Sequence, residues 1–379
     1  MSHSTTITVR TPSATYDVEI APNLLASIGS RIDALLGGAL TSGKQRAFVV
    51  TSPEIWALHG KAFAASFPTA PIVLEVPSGE EHKRLATIER LAEEMAHHGA
   101  DRDSLLIAFS GGVLGDMTGF LAAGYMRGIR YVQVPTTLLA QVDSAIGGKT
   151  GVNLAAGKNL FGAFHHPLAV YADTAVLSTL PDAQLRAGLQ ESVKAGIIRD
   201  RALFHYMDEH ADTILSGNIE ALTHVVAASV LVKAKVVAAD EKESGERMLL
   251  NLGHTLGHAI EAATHYKQLL HGEAVAWGML AAIGIAERRA FVTTAEANHM
   301  GRVIRTYGPL QNFSANVGDL VALTSKDKKN RSGSRSFVLP IGIGDATVVR
   351  DVSVSELTDA TEAMMELRGD FHRGQQVPA

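Results

Sequence analysis

The amino-acid sequence is organised around Asn251-Leu-Gly-His-Thr-Leu-Gly-His-Ala-Ile-Glu261, which is followed after a short loop by His271. His254 and His258 are four residues apart, so on a helix they project from one face about one turn apart. Imidazoles held by a helix and a nearby loop, with carboxylates in reach, are typical ligands of a zinc-type site. The pattern therefore predicts a metal site in the second half of the chain.

Two glycines accompany these histidines. Gly253 and Gly257 would lie on a neighbouring stripe of the same helix. A glycine inside a helix costs roughly 1 kcal/mol relative to alanine, so the pair predicts a close approach of another backbone or of a ligand. The alternative, which the spacing leaves open, is that the histidines are surface or core residues with ordinary hydrogen bonds.

Length and composition bound the class of protein. A chain of 379 residues is too long for one small core and predicts two domains. With 46% hydrophobic and 19% charged residues and a net charge of −5, nothing favours nucleic acid or an anionic membrane as a partner. Cysteine is absent, so any metal must be held by His, Asp or Glu. The N-terminal segment has no signal-peptide pattern and no apolar run reaches a membrane span, which predicts a soluble, cytoplasmic protein.

Hydrophobic periodicity divides the chain into two parts. The first half predicts a β-hairpin over 7–10 and 16–20, strands over 47–51, 72–76, 105–109, 131–134 and 169–171, and helices over 23–36, 54–67 and 80–98. Strands that alternate with helices indicate a mainly parallel sheet covered on both faces.

The second half is predicted to be mainly helical. Its predicted elements are helices over 181–198, 219–240, 248–264, 273–290, 294–306 and 353–367, a hairpin over 336–339 and 346–349, and a loose tail over 371–379. The pattern changes near residue 178, which is therefore the predicted domain boundary.

Glycines follow one of the apolar strands. Ser110-Gly-Gly-Val-Leu-Gly-Asp116 leads from the strand over 105–109 into a predicted helix, a place where a pyrophosphate can bind. The spacing is not that of the G-x-G-x-x-G fingerprint, so a tight strand-to-helix turn without a ligand is an equal alternative.

A second glycine-rich stretch carries lysines. Gly147-Gly-Lys-Thr150 is similar to a Walker A motif, but Asp143 stands where that motif requires glycine, which excludes a nucleotide-triphosphate loop. The same stretch carries several polar side chains and predicts an anion site of another kind, with a solvated basic loop as the alternative. These side chains are Asp143, Lys149, Asn153, Lys158 and Asn159.

Further charged residues flank the histidine segment. Glu191 and Lys194 share one helical face among apolar neighbours, which predicts that the pair points into a half-buried cleft. Lys233, Glu243 and Arg247 are candidates to line the same cleft. A basic cluster of Lys326, Lys328, Lys329 and Arg331 has the default interpretation of solvated charges.

Taken together, these blocks identify a resemblance. The chain resembles the 3-dehydroquinate synthase family of the sugar phosphate cyclases over nearly its whole length. The blocks that carry the likeness are Gly111–Asp116, Gln133–Asp143, Gly147–Thr150, Gly157–Asn159, Asn251–Glu261 and His271–Val275. The resemblance implies an α/β, Rossmann-like NAD-binding domain over 1–178, followed by a mainly α-helical metal- and substrate-binding domain over 179–379.

The resemblance also implies a set of site residues. A divalent metal, zinc or cobalt, would be held by Glu191, His254 and His271, which moves His258 to the substrate side as a proton-transfer candidate. NAD would contact Glu80, Lys83, Gly111, Gly112, Val113, Asp116, Thr136, Thr137, Lys149, Lys158, Asn159 and Thr179. Substrate would contact Arg127, Asp143, Lys149, Asn159, Lys194, Lys233, Glu243, Arg247, Asn251 and His258, with one lysine of the 327–329 run.

The activity that the resemblance implies is that of a phosphate-eliminating lyase of the shikimate pathway, which supplies aromatic amino acid biosynthesis. Such an enzyme converts 3-deoxy-D-arabino-heptulosonate 7-phosphate to 3-dehydroquinate and phosphate. It does so by transient oxidation with NAD, phosphate elimination, reduction and an intramolecular aldol closure. A homodimer is expected on the same basis.

Three other functions remain open at this point. One is another sugar phosphate cyclase, making 2-deoxy-scyllo-inosose or 2-epi-5-epi-valiolone. Another is a metal-dependent alcohol or glycerol dehydrogenase, which shares the architecture. The third is a non-catalytic regulator that binds NAD or metal on a cyclase scaffold.

Overall fold

The computed structural model describes residues 4–324 and 336–373. The basic cluster at 326–331 and the last part of the predicted tail, 374–379, lie outside the described residues. The chain forms two compact units, Met1–Leu185 with Gly217–Lys242, and Arg186–Ser216 with Glu243–Ala379. We refer to them as unit 1 and unit 2. The domain boundary near residue 178 stays a prediction.

Unit 1 is built on a seven-stranded sheet of order β1-β2-β9-β6-β5-β3-β4. Its strands are β1 (Thr5–Arg10), β2 (Thr15–Ala21), β3 (Ala47–Thr51), β4 (Ile72–Glu75), β5 (Leu105–Ser110), β6 (Arg130–Pro135) and β9 (Ala169–Asp173). Two further strands, β7 (Lys149–Leu154) and β8 (Gly157–Phe164), form a separate hairpin. All neighbouring pairs in the sheet are parallel except β1 with β2. The predicted mainly parallel sheet is confirmed.

Alternate residues of the central strands enter two different cores. Val49 and Ile107 face one core, which includes side chains of α1 (Leu25–Leu35) and α2 (Pro53–Ala65). Phe48 and Leu106 face the other, which includes side chains of α3 (Leu85–His97) and α4 (Gly112–Gly124). Because strand side chains alternate in direction, this division confirms that helices cover both faces of the sheet.

Two predictions for unit 1 were incomplete. The helix predicted over 80–98 is a 3-10 turn, Glu80–His82, followed by α3, because Lys83 leaves helical geometry with ψ of 67°. The glycine-rich stretch after residue 147 is not a loop. Its residues form the β7–β8 hairpin, whose second strand is largely exposed. Turn glycines within 147–157 obscured the strand pattern on either side.

Unit 2 is mainly helical, as predicted. The remaining helices in the described residues are α5 (Asp182–Arg199), α6 (Arg201–Glu209), α7 (Ala211–Leu215), α8 (Ile219–Ala239), α9 (His254–Ala263), α10 (His271–Arg288), α11 (Thr294–Thr306), α12 (Val317–Thr324) and α13 (Val354–Arg373). Unit 2 also contains a hairpin of β10 (Phe337–Gly342) and β11 (Asp345–Val349). The hairpin is confirmed. The sequence missed α6, α7 and α12, and α13 continues three residues into the predicted tail.

Helix α8 belongs to unit 1, where it packs against β1 and β2. Within residues 4–324 and 336–373 it is the one helix with the length and apolar composition of a membrane span. Val225, Val226, Val230 and Val237 on this helix are all fully buried. Such burial is typical of a core helix of a soluble protein.

The predicted helix over 248–264 is interrupted. A 3-10 turn, Glu246–Asn251, precedes α9, and Gly253 between them has a φ of 79°. This left-handed conformation is accessible to glycine at no steric cost, and it lets the chain change direction before His254. Gly253 is therefore the N-cap residue of α9, whereas Gly257 lies within the helix as predicted.

Candidate functional site

Three side chains of unit 2 converge from three different helices. Glu191 of α5 places its Oε1 atom 3.8 Å from Nε2 of His254 in α9 and 3.7 Å from Nε2 of His271 in α10. Glu191 is 3% exposed, and this oxygen is buried without a hydrogen-bond partner among the described residues. An unpartnered buried carboxylate oxygen is costly unless a further group binds it. The three ligand atoms suit a divalent cation.

Glycines let the helices that carry these side chains approach closely. A β-carbon at Gly272, next to His271, would lie 1.9 Å from the carbonyl oxygen of Ala187, one turn before Glu191. A β-carbon at Gly257 would lie 3.0 Å from the carbonyl oxygen of Ala274. The close approach predicted from the glycines is confirmed, and the neighbour is backbone of another helix.

The other ring nitrogen, Nδ1, of His254 and of His271 also has a partner. His254 Nδ1 lies 3.2 Å from the carbonyl oxygen of Leu252, and His271 Nδ1 lies 3.4 Å from Oε2 of Glu261. If each Nδ1 carries the proton and donates it, each Nε2 presents a lone pair toward Glu191. Burial lowers the pKa of His271, but the carboxylates of Glu261 and Glu191 outweigh it, so the net pKa is raised.

Two further predicted residues lie beside this group. The ring centroid of His258 is 5.3 Å from that of His254 and 6.0 Å from that of His271, yet His258 is not one of the three converging ligands. Lys194 donates to Oε2 of Glu191, and both side chains of that pair are nearly fully buried. That this pair points into a half-buried cleft stays a prediction.

The glycine turn of unit 1 lies at the carboxyl end of β5. Gly111 caps α4 and Gly112 begins it, and the first turn carries no acidic side chain. A β-carbon at Gly112 would lie 2.7 Å from Oγ of Ser144. The hydroxyls of Ser144 and Thr136 are buried with no hydrogen-bond partner among the described residues. A bare helix N-terminus with unpartnered hydroxyls beside it suits an anionic phosphate group.

A polar network in unit 1 unites most of the other predicted dinucleotide residues. Lys83 donates to Oδ2 of Asp116 at 2.7 Å and to Oδ1 of Asn159 at 2.6 Å. Asn153 accepts from the Asn159 backbone N–H at 2.8 Å and donates to Oε1 of Glu80 at 2.7 Å. Burial raises the pKa of Asp116 even though Lys83 opposes the shift. The predicted residues brought together here are Glu80, Lys83, Asp116, Lys158 and Asn159.

The remaining predicted dinucleotide residues lie nearby or apart. Val113 is in the first turn of α4, and Thr137 lies against Gly111. Thr136 follows β6, which pairs with β5 in the sheet. Thr179, by contrast, bonds through its hydroxyl to Nε2 of His59 at 2.8 Å and is not part of the Lys83 network.

The predicted substrate residues form separate groups in each unit. In unit 1, Lys233 of α8 donates to Oδ1 of Asp143 at 2.5 Å. Lys149 is the first residue of β7 and is exposed, and Arg127 lies on an exposed turn with a φ of 70°.

In unit 2, Asn251 donates to Oε1 of Glu243 at 2.8 Å. Glu243 has a φ of 59°, which marks a sharp bend in the chain there. Arg247 lies between them in the 3-10 turn Glu246–Asn251 and is 1% exposed. A buried guanidinium is rare in proteins unless it serves an anion or a buried carboxylate.

Sequence reasoning assigned no role to Ser144 and Glu261. Ser144 follows Asp143 directly, but a lone serine carries no spacing signal. Glu261 is three residues after His258 and could have been identified from the helical face that the two share.

These features define the class of the protein. It has an α/β fold with a dinucleotide-type glycine turn in one unit and a buried carboxylate–histidine group of metal-ligand type in the other. Family models described as "3-dehydroquinate synthase N-terminal" and "3-dehydroquinate synthase C-terminal" match residues 73–187 and 188–330. A 3-dehydroquinate synthase from Solibacter usitatus is 47% identical over 91% of this chain and 95% of its own length. The chain belongs to the 3-dehydroquinate synthase family.

Solved structures confirm the fold class. A 2-epi-5-epi-valiolone synthase from Streptomyces hygroscopicus, with NAD+ and Zn2+ bound, is 29% identical with a TM-score of 0.83, covering 93% of this chain and 98% of its own. A 2-deoxy-scyllo-inosose synthase, complexed with carbaglucose-6-phosphate, NAD+ and Co2+, is 27% identical with a TM-score of 0.81, covering 96% and 100%.

Proposed function

We propose that this protein is a 3-dehydroquinate synthase, a carbon–oxygen lyase of the shikimate pathway. It converts 3-deoxy-D-arabino-heptulosonate 7-phosphate to 3-dehydroquinate and phosphate. One observation carries the proposal, namely identity of 41–47% to several enzymes of that name, in most cases over nine-tenths of the chain. The convergence of Glu191, His254 and His271 supports it, because the proposed reaction needs an electrophilic metal.

Glu191, His254 and His271 hold the divalent metal, zinc or cobalt, in this proposal. The unpartnered oxygen of Glu191 and the two Nε2 atoms that face it fit such an ion. When bound, the metal would lower the pKa of substrate hydroxyls and polarise a ketone as a Lewis acid. Lys194 fixes the second oxygen of Glu191 and so limits how that carboxylate can turn.

Unit 1 binds NAD in this proposal. Its glycine turn and the Lys83 network fit a dinucleotide, since the helix N-terminus and the unpartnered hydroxyls suit phosphate. NAD supplies a hydride acceptor that is restored within each turnover, so no net NADH forms. The binding residues proposed are Glu80, Lys83, Gly111, Gly112, Val113, Asp116, Thr136, Thr137, Lys149, Lys158, Asn159 and Thr179.

The remaining residues bind the substrate and move protons. Cationic side chains bind its carboxylate and phosphate groups and hold a flexible molecule in reactive geometry. Imidazole can exchange a proton near neutral pH, so His258 is assigned proton transfer. The proposed cations are Arg127, Lys149, Lys194, Lys233 and Arg247, and the proposed hydrogen-bonding residues are Asp143, Asn159, Glu243 and Asn251.

The test is turnover of 3-deoxy-D-arabino-heptulosonate 7-phosphate with NAD and zinc or cobalt. Phosphate release is followed directly, and the product is coupled to a dehydroquinase. We expect both signals without net NADH, and we expect chelation to abolish them. Absence of product with the metal-loaded, NAD-loaded protein would refute the proposed activity.

The metal assignment has its own test. His271→Ala is expected to abolish metal-dependent turnover while leaving NAD binding largely intact. His258→Ala is the matched variant from the same cluster, and it is expected to lose turnover while it retains the metal. A His271→Ala protein that turns over at a near-normal rate after chelation would show that the ligands are elsewhere.

A second candidate is another sugar phosphate cyclase. The solved valiolone and inosose synthases favour it, because both match almost the whole chain at 27–29% identity. The substrates that distinguish the candidates are phosphorylated sugars without a carboxylate. Turnover of one of these, in the absence of dehydroquinate formation, would favour this second candidate.

We also propose a cytoplasmic homodimer. Leu160, Phe161 and Phe164 on β8 are each more than a third exposed, which leaves apolar surface on the hairpin of unit 1. Exposed apolar side chains grouped on one strand favour a surface that associates with another chain. The division into an NAD-binding domain over 1–178 and a metal- and substrate-binding domain over 179–379 is part of the same proposal.

A further inference from the structure

One face of α9 carries three polar side chains at successive turns. His254, His258 and Glu261 follow one another at intervals of four and three residues, so they line one side of the helix. Glu261 is 4% exposed. Its carboxylate lies 3.4 Å from Nδ1 of His271, and it shares with His258 and His271 a group of ligand-type atoms within 4.8 Å of one another.

His254 and His271, the two proposed metal ligands, differ in the partner of their Nδ1 atom. His254 directs Nδ1 at the backbone carbonyl of Leu252, which no substitution at 252 removes. His271 directs Nδ1 at a side chain, Glu261. A proton on Nδ1 leaves the lone pair on Nε2, the atom that faces Glu191. The orientation and tautomer of His271 therefore depend on a residue that can be changed.

Burial of Glu261 supports the same role. A carboxylate taken out of water is unfavourable unless hydrogen bonds or positive charge compensate it. An imidazole N–H offers such a bond, and it becomes a stronger donor when the opposite nitrogen is bound to a cation. The carboxylate and a metal on the far side of the His271 ring thus favour each other.

We propose that Glu261 is a positioning residue that fixes the His271 ring and tautomer for metal binding. The inference rests on the metal site of the proposed function and deepens it. Glu261 acts through His271 and is not itself a ligand of the metal.

The experiment measures zinc affinity of the metal-free protein by competition with a chromogenic chelator. Glu261→Ala removes the acceptor and is expected to weaken zinc binding about tenfold to a hundredfold, the usual effect of losing such an outer partner. Glu261→Gln keeps an acceptor oxygen without the charge and is expected to fall between Glu261→Ala and the unchanged protein. Thermal unfolding of the metal-free variants establishes that each is folded.

Glu273→Gln is the matched control. Glu273 is also a buried carboxylate, two residues after His271, but it accepts from the backbone N–H of Leu270 at 2.7 Å, and no hydrogen bond or ion pair joins it to an imidazole among the described residues. Its variant is expected to bind zinc as the unchanged protein does. An equal loss of affinity in Glu273→Gln and Glu261→Gln would overturn the role of Glu261, since any buried carboxylate would then suffice.

The possible outcomes distinguish the proposed role of Glu261 from the proposed metal site on which it rests. Unchanged zinc affinity in folded Glu261→Ala, with affinity lost in His271→Ala, would overturn the role of Glu261 and leave the metal site standing. A protein that binds no zinc, or binds it equally well as His271→Ala, would overturn the metal site and the role of Glu261 together. Graded loss from Glu261→Gln to Glu261→Ala supports both.

Discussion

Gly278 of α10 lies so close to Gly253 that a β-carbon at Gly278 would stand 1.9 Å from the Gly253 carbonyl oxygen. Gly253 directly precedes His254, and α10 begins at His271. The contact therefore sets the distance between the helices that carry the two ligand-type histidines. No side chain larger than hydrogen fits there without moving one helix.

Gly278→Ala is expected to destabilise unit 2 and weaken zinc binding. Forcing extra volume into a packed interface typically costs about 1–3 kcal/mol, and backbone cannot rotate away as a side chain can. We expect a melting temperature lower by several degrees and zinc affinity reduced at least about tenfold. Thermal unfolding and chelator competition measure the two effects.

Gly284→Ala provides the control for that variant. Gly284 is in the same helix, but a β-carbon there would meet nothing within 4 Å. Alanine in a helix interior stabilises by about 0.5–1 kcal/mol relative to glycine, so this variant should melt slightly higher. If both variants behaved alike, the close contact at Gly278 would not be the cause.

Asn159 offers a test of the proposed NAD site. Its amide oxygen accepts from Lys83, and its φ of 52° is in the left-handed region. Asn159→Gly and Asn159→Ala both remove the acceptor, and each is expected to bind NAD about tenfold more weakly, the effect of a lost hydrogen bond to a charged group. The alanine variant should also be less stable than the glycine variant by about 1 kcal/mol, because alanine disfavours this φ.

The NAD affinities can be measured by calorimetric titration, and the stabilities by urea unfolding. An Asn159→Gly protein that binds NAD as tightly as the unchanged protein would contradict the assigned role. In that case only the backbone conformation at this position would matter.

Asp208 predicts a pH dependence of stability. The hydrogen bond from Arg302 lowers the pKa of Asp208 to about 2; burial opposes this shift, and a hydrogen bond from His299 supports it. A carboxylate whose pKa is lower in the folded than in the unfolded state stabilises the fold at pH values above its unfolded-state pKa. This stabilisation is lost as the pH falls toward the folded-state pKa. Asp208→Asn should therefore lower the free energy of unfolding by about 1 kcal/mol near neutral pH, after allowance for solvent screening of Arg302. The difference from the unchanged protein should shrink as the pH falls from about 4 toward about 2.

Urea unfolding across that pH range measures the difference between Asp208→Asn and the unchanged protein. Asp359→Asn, which removes an exposed carboxylate on α13, is the control and should change stability little at any pH. A pH-independent effect of Asp208→Asn would mean that its ion pair contributes nothing.

Sequence spacing predicted the face shared by His254 and His258, because a helix fixes which residues lie one turn apart. It could not show which of them faces Glu191, since that depends on where another helix, 63 residues earlier, comes to rest. The resemblance supplied that assignment as an expectation. The left-handed conformation of Gly253 and the position of Ser144 at the α4 N-terminus were equally inaccessible, because both follow from tertiary contacts and leave no periodic signal.

The proposed homodimer makes the last prediction. Leu160 and Phe164 both lie on β8, and both are exposed. Burying a side chain of this size contributes about 1.5–3 kcal/mol, and twofold symmetry would count each residue twice. The double variant Leu160→Asp with Phe164→Asp is therefore expected to be a monomer at concentrations where the unchanged chain is a dimer, with molar mass measured by light scattering after gel filtration. Leu58→Asp, which places the same charge on the 60% exposed Leu58 of α2, should remain dimeric. A dimer that survives the double variant would place the interface elsewhere, and a monomeric unchanged protein would refute the dimer itself.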